Sequence, residues 1–195
     1  MGTRNLTAVY VDGEYKVAQY GQWDGYPEGQ GMTCLAFARK FLANKADREA
    51  FANKVRACSW ITEEEIARRN AMIDNGVVKN WTKLWPELSR DTCSEILELV
   101  ARSENGLLLN NRIAFAADSL FCEWAWVIDL DAGTFEGYIG FNQCRELTPE
   151  DRFYFLREKA EHGYLPVTLS AKWSLDDLPE KDDFLAAFKE EEEDE

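Results

Sequence analysis

Side chains suited to binding are concentrated in a glycine-rich segment, residues 20–31, with the sequence YGQWDGYPEGQG. Its four glycines allow the backbone to pass close to another group. The side chains between them can stack on a ring or hydrogen-bond to its edge. We therefore identify as candidate binding residues Tyr20, Gln22, Trp23, Asp24, Tyr26 and Gln30. Two interpretations remain open: a site for a ligand or partner, or a turn in which Trp23 and Tyr26 fill the edge of the core.

Arg4 is the seventh candidate, because it precedes a predicted strand that should pair with the strand ending at Gln22. This pairing would bring Arg4 close to the start of the glycine-rich segment. A planar guanidinium group can bind either a carboxylate or a phosphate with two parallel hydrogen bonds. We favour a structural pair between Arg4 and Asp24, with contact to a ligand phosphate as the alternative.

The sequence contains no recognisable catalytic or metal-binding set. Its one histidine, His162, has no nucleophile near it in the sequence and is expected to cap the C-terminal end of a helix. Asp129 and Asp131 could bind Mg²⁺, but we favour a turn at Asp131-Ala132-Gly133, in which Asp131 bonds to its own backbone. We predict no catalytic residue, no metal ligand and no cofactor, and we expect binding rather than catalysis.

The charge is strongly negative and unevenly distributed. The chain has 36 acids and 22 bases, a net charge of −14, to which residues 174–195 contribute eleven acids and two bases. This balance argues against a nucleic-acid-binding surface. We predict that the acidic run 190–195 is a disordered tail following one domain, residues 1–189. The tail either keeps the protein soluble or attracts a basic partner.

Cysteine spacing and hydropathy indicate the compartment. The five cysteines include no C-x-x-C pair, and no apolar run is long enough to cross a membrane. We therefore expect reduced cysteines in a cytoplasmic protein that does not bind membranes.

The elements that would position these residues are hairpins and amphipathic helices. Asp12-Gly13 and Asp131-Ala132-Gly133 are typical hairpin turns between strands, and Pro166 places a further strand, residues 165–173, at a sheet edge. Helical patterns cover residues 32–42, 47–58, 62–75, 91–103, a segment starting at 148, and 180–189. We expect a capping box at Thr62 to open the third of these helices and Asp91 to cap the fourth. These patterns predict an α+β fold, with an antiparallel sheet built from hairpins and packed with several helices in a single compact domain.

Three motifs resemble those of an uncharacterised family encoded by phages and prophages. They are MGTRNLT at residues 1–7, YGQWDGYPEGQG at residues 20–31 and WVIDLDAGTFE at residues 126–136. The family has no established activity, so the resemblance assigns no residue a role. It implies an accessory protein of a mobile element that acts in the cytoplasm of a bacterial host.

We therefore expect a binding protein that inhibits or redirects a host protein, such as one involved in defence or nucleic-acid handling. An acidic protein is suited to a basic target of that kind. The alternative is a protein that binds, sequesters or turns over a nucleotide or another small ligand, using Arg4 and residues 20–31.

Overall fold

A mixed five-stranded sheet lies at the centre of the molecule. The computed structural model describes residues 2–160 and 162–189, so the predicted tail at 190–195 lies outside the described residues. The strands of this sheet are β1 (Asn5–Val11), β2 (Glu14–Gly21), β5 (Trp124–Asp129), β6 (Thr134–Ile139) and β7 (Thr168–Ser174), in the order β2-β1-β5-β6-β7. A separate two-stranded ribbon pairs β3 (Ser59–Trp60) with β4 (Leu108–Leu109).

Along the chain, most helices lie between the two hairpins of the sheet. They are α1 (Met32–Phe41), α2 (Lys45–Arg56), α3 (Glu63–Asp74), α4 (Trp81–Leu84) and α5 (Ile96–Arg102), with α6 (Lys181–Ala186) following β7. Short 3₁₀ segments occur at Pro86–Leu88, Cys93–Glu95, Ile113–Ala117 and Tyr154–Lys159, and a π-helical turn at Pro27–Gly31 leads into α1. Thr62 caps α3 as its sequence predicts, because its hydroxyl accepts the N–H of Glu65 at 3.2 Å.

Both predicted hairpins are present. β1 pairs antiparallel with β2 through a turn in which Asp12 and Gly13 have φ of 53° and 78°, the left-handed conformation that such a turn requires. β5 pairs antiparallel with β6 in the same way. A parallel pairing of β1 with β5 joins the two hairpins and makes the sheet mixed. The α+β prediction is confirmed, and β7 lies at an edge as predicted.

Each face of the sheet has its own hydrophobic core. Side chains alternate along β5, so Trp126 and Ile128 belong to one core while Ala125 and Val127 belong to the other. Helices α1, α2, α5 and α6 cover the first face, and the 3₁₀ segments around Ala116 and Leu156 cover the second. Because β1 and β5 are central and covered on both sides, they are buried along almost their whole length.

Two predicted helices are shorter and begin differently. Asp91 does not cap a helix over 91–103. Cys93 adopts a left-handed φ of 46°, a 3₁₀ turn follows it, and α5 begins only at Ile96. The segment starting at Thr148 likewise forms no long α-helix but the 3₁₀ segment Tyr154–Lys159. The two residues of its predicted apolar stripe, Phe153 and Leu156, are still buried in the core.

All five cysteines are free thiols, four of them buried and Cys144 exposed. Among residues 2–160 and 162–189, no helix combines the length and the apolar composition needed to cross a membrane.

Candidate functional site

The glycine-rich segment is anchored firmly to the rest of the protein. The buried indole of Trp126 donates its N–H to the carbonyl of Gly25 at 2.9 Å, and the N–H of Gly25 donates to the carbonyl of Thr3 at 2.9 Å. At Gly29 a Cβ atom would lie 2.1 Å from the carbonyl oxygen of Asp24, so only glycine fits there. These contacts within the chain therefore explain why the backbone passes close to other groups at Gly25 and at Gly29.

The side chains between the glycines are not used to fill the core. Trp23 is 46% exposed and Tyr26 is 38% exposed. The acidic residues Asp24 and Glu28 are exposed beside them. We call these four residues the loop surface. The sequence allowed two interpretations, and the exposure of Trp23 and Tyr26 disagrees with the one in which these rings fill the edge of the core.

Hydrogen bonds hold the loop surface in one conformation. The indole N–H of Trp23 donates to Oδ1 of Asp91 at 2.9 Å, and the hydroxyl of Tyr26 donates to Oδ1 of Asp24 at 3.2 Å. The ring of Trp23 also packs against Gly2, where a Cβ atom would lie 2.4 Å from Cε3. The bond to the Asp24 carboxylate raises the pKa of the Tyr26 hydroxyl, so this hydroxyl is neutral and remains a donor at neutral pH.

Three further predicted binding residues, Gln30, Gln22 and Tyr20, also form hydrogen bonds within the protein. Oε1 of Gln30 accepts the N–H of Ser94 at 3.0 Å. Gln30 thus takes the capping role that the sequence pattern predicts for Asp91. Oε1 of Gln22 accepts the hydroxyl of Tyr20 at 2.7 Å. Both glutamine side chains are half-buried, so they hold the loop in place and do not form its exposed surface.

Arg4 has a different partner from the one predicted. Its guanidinium lies over the ring of Phe121, 4.7 Å from the centroid, rather than on Asp24. The edge of His162 lies against the same ring, with centroids 5.9 Å apart. The peptide N–H of Arg4 donates to Oε1 of Glu123 at 3.2 Å. Arg4 therefore attaches the N-terminal segment to the start of β5.

A groove of about 550 Å³ lies next to the loop surface, along the outer edge of β2. We call it the arginine groove, because its lining includes two arginines, two asparagines and two aromatic rings: Arg90, Arg112, Asn110, Asn111, Tyr20 and Phe115. The two rings meet edge to face with centroids 4.9 Å apart. Among the residues that the structure describes, no acidic side chain lines this groove.

The main chain of β2 positions both walls of the arginine groove. The carbonyl of Arg90 accepts the N–H of Gln22 at 3.2 Å, and the N–H of Arg112 donates to the carbonyl of Ala18 at 3.0 Å. The buried amide of Gln19 donates to the carbonyl of Ser89 at 2.8 Å. The backbone of each arginine is therefore fixed, while both side chains extend to an exposed surface.

The opposite end of the sheet holds a cluster of charged side chains, which we call the Arg152 cluster. Its members are Asp129, Glu136, Tyr138, Arg152 and Lys172. Nε of Arg152 lies 2.7 Å from Oε2 of Glu136, and its Nη2 also binds Asp129. Tyr138 donates its hydroxyl to Glu136 at 2.6 Å, and Nζ of Lys172 lies 3.1 Å from Oε1.

The electrostatics of the Arg152 cluster fix the protonation of its members. Burial alone would raise the pKa of Glu136, but the hydrogen bonds from Arg152 and Tyr138 outweigh it and lower the pKa to about 2. Burial and the neighbouring carboxylate raise the pKa of Tyr138 above its usual range. Near pH 7 Glu136 is therefore a carboxylate and Tyr138 a neutral hydroxyl. The cluster cross-links β5 and β6 to the segment that carries Arg152.

The two aspartates considered for Mg²⁺ serve turns. Oδ1 of Asp129 accepts the N–H of Ala132 at 2.8 Å, while Asp131 accepts the N–H groups of Asp12 and Gly13 at 2.9 and 2.8 Å. Within the described part of the chain, no three His, Cys, Asp or Glu side chains form a group that could hold a metal ion.

Sequence reasoning missed both Arg90 and Arg112, as well as Arg152. Only the exclusively polar run Asn110-Asn111-Arg112 interrupts the apolar pattern around it, and this was the one available signal. Comparisons with protein-family models, with curated proteins and with solved structures find no match for this chain.

Proposed function

We propose that this protein acts by binding another protein, and that the partner contacts the loop surface. The observation that carries the proposal is the exposure of Trp23 and Tyr26 on a segment that is otherwise tied into the core. Large aromatic residues dominate the energetics of protein interfaces.

The fixed conformation of the loop surface supports this proposal. Ordering flexible side chains and loops on binding costs affinity. The bonds from Trp23 to Asp91 and from Tyr26 to Asp24 have already placed both rings, so little further ordering is required.

Charge supports a basic partner. Asp24 and Glu28 alternate with the two rings, and Asp91 lies beside Trp23. The net charge of −14 would accelerate the approach of a basic protein and would do so less at high salt. Basic surfaces of this kind are typical of proteins that handle nucleic acids.

The resemblance to phage-encoded proteins supports a host protein as the partner. We propose that binding inhibits or redirects this host protein in the bacterial cytoplasm, as an anti-defence factor would. An acidic surface bearing two aromatic rings can occupy a basic site and thereby exclude its normal ligand.

Affinity capture from bacterial lysate with matched variants tests the proposal. The double variant Trp23→Ser, Tyr26→Ser should recover at least about tenfold less of the partner than the wild type, because two interface anchors are lost. Raising the salt concentration to about 0.5 M should also reduce recovery.

Phe155→Ser is the control variant, because Phe155 is 52% exposed but lies in the 3₁₀ segment Tyr154–Lys159, outside the loop surface. It should recover the partner as the wild type does. If no protein is lost selectively from the double variant, or if Phe155→Ser loses the same protein, the loop surface is not the binding site.

A further inference from the structure

We propose that the arginine groove is a second binding site, for a mononucleotide. The site is independent of the loop surface, since it is formed along the outer edge of β2 and does not include Trp23 or Tyr26. Its ligand chemistry is a phosphate monoester joined to a planar heteroaromatic ring.

The cations of the groove are available to an anion. Nε of Arg90 is 3.9 Å from Oδ1 of Asp91, and the side chain of Arg90 is 66% exposed. Within residues 2–160 and 162–189, no carboxylate forms an ion pair with Arg112, which is exposed. In contrast, most arginines outside the groove are already paired with carboxylates, as Arg56 is with Asp12 and Glu49. Two guanidinium groups face one groove, that of Arg90 with only a distant, exposed partner and that of Arg112 with no carboxylate partner among the described residues, and together they are suited to a phosphate dianion.

The other groups in the groove are suited to a base. Tyr20 and Phe115 form an aromatic wall on which a planar ring can stack, and stacking on such a wall is insensitive to base identity. Asn110 and Asn111 add amide groups that can both donate and accept hydrogen bonds at a base edge. A volume of about 550 Å³ lies within the range of small-molecule sites, roughly 300–1,000 Å³.

The construction of the groove also supports a site. Its two walls are separate segments of the chain, and each is fixed by a main-chain hydrogen bond, one to Gln22 directly after β2 and one to Ala18 within β2. The arginine backbones are therefore held in place before any ligand arrives, which reduces the cost of binding.

Isothermal titration calorimetry with AMP, GMP, CMP and UMP tests the assignment on the full-length protein, with adenosine and inorganic phosphate as partial ligands. At least one mononucleotide should bind, and more tightly than either partial ligand. Arg112→Ala should weaken its binding by at least about tenfold, because a charge-assisted hydrogen bond is lost. Phe115→Leu should weaken nucleotide binding by about fivefold or more without affecting phosphate binding.

Arg68→Ala is the matched control, because Arg68 is an exposed arginine on α3 whose ion pair with Glu65 lies outside the groove. It should leave the affinity unchanged. The assignment is wrong if none of the four nucleotides binds at about 1 mM. It is also wrong if inorganic phosphate binds as tightly as the nucleotides, if Arg68→Ala has the same effect as Arg112→Ala, or if a short oligonucleotide binds more tightly than every monomer.

Discussion

The loop surface and the Arg152 cluster contain similar chemical groups, aromatic rings and carboxylates, but use them in opposite ways. In the Arg152 cluster the charged groups bind one another, and both oxygens of Glu136 accept hydrogen bonds from several donors. In the loop surface the backbone is satisfied internally, while Trp23 and Tyr26 face solvent. A binding site needs groups that are held in place but are not already saturated by partners, and of these two regions only the loop surface meets both conditions.

This difference also separates stability from function. A buried charge whose partner is removed is strongly destabilising, whereas exposed side chains contribute little to the free energy of unfolding. Changes in the Arg152 cluster should therefore affect stability, and changes in the loop surface should affect binding.

The largest effect is expected for Arg152→Met, which leaves Asp129 and Glu136 buried without their shared cation. The free energy of unfolding should fall by about 3 to 5 kcal/mol in urea denaturation. Arg145→Met is the control, because Arg145 is 52% exposed and pairs with Asp151 at the surface. It should lose about 1 kcal/mol or less. Equal losses for the two variants would remove the distinction between the regions.

A somewhat smaller effect is expected from acid. The pKa of Glu136 is lowered in the folded state from 4.5 to about 2, so its contribution is fully present above pH 4.5 and is lost as the pH falls toward 2. The loss is up to roughly 3 kcal/mol. Unfolding measured between these pH values should show a steeper decline for the wild type than for Glu136→Gln. Parallel curves would show that Glu136 is not the titrating group.

A smaller effect on stability is expected for Gly29→Ala. The added methyl group would lie 2.1 Å from the carbonyl oxygen of Asp24, so the loop backbone must move. Thermal unfolding should show a loss of about 1 to 3 kcal/mol, and partner recovery should fall although no surface side chain is removed. Gly133→Ala in the β5–β6 turn is the comparison, since its φ of 67° also strains alanine but no atom lies near the added methyl group. It should keep partner recovery, and a matching loss there would contradict a role for loop shape.

Local sequence signals were sufficient for much of the fold. Asp12-Gly13 fixed the first hairpin because a tight turn needs two residues that tolerate positive φ. The apolar spacing of α1, α2 and α3 placed those helices within a few residues. The glycine-rich segment at residues 20–31 could be singled out as a candidate from its composition alone, because its glycines and aromatic side chains lie next to one another in the sequence.

Features that depend on distant residues were not predictable. The parallel pairing of β1 with β5 joins strands more than a hundred residues apart, and no local pattern specifies such a pair. Gln30 caps Ser94 across 64 residues, which explains why the predicted role of Asp91 was wrong. The arginine groove combines Tyr20, from the glycine-rich segment, with Arg90 and with residues 110–115, and neither of the two arginine-bearing segments resembles a site by itself.

Partner recovery and folded structure, measured together on two variants, test the central claim most directly. Trp23→Ser with Tyr26→Ser should keep the circular dichroism spectrum and lose the captured partner. Arg152→Met should keep the partner despite its lower stability, when it is assayed at a low temperature at which its spectrum shows a folded protein. If Arg152→Met is unfolded even there, Tyr138→Phe takes its place and should likewise keep the partner. The opposite pattern, in which the folded cluster variant loses the partner and the loop variant retains it, would contradict the account.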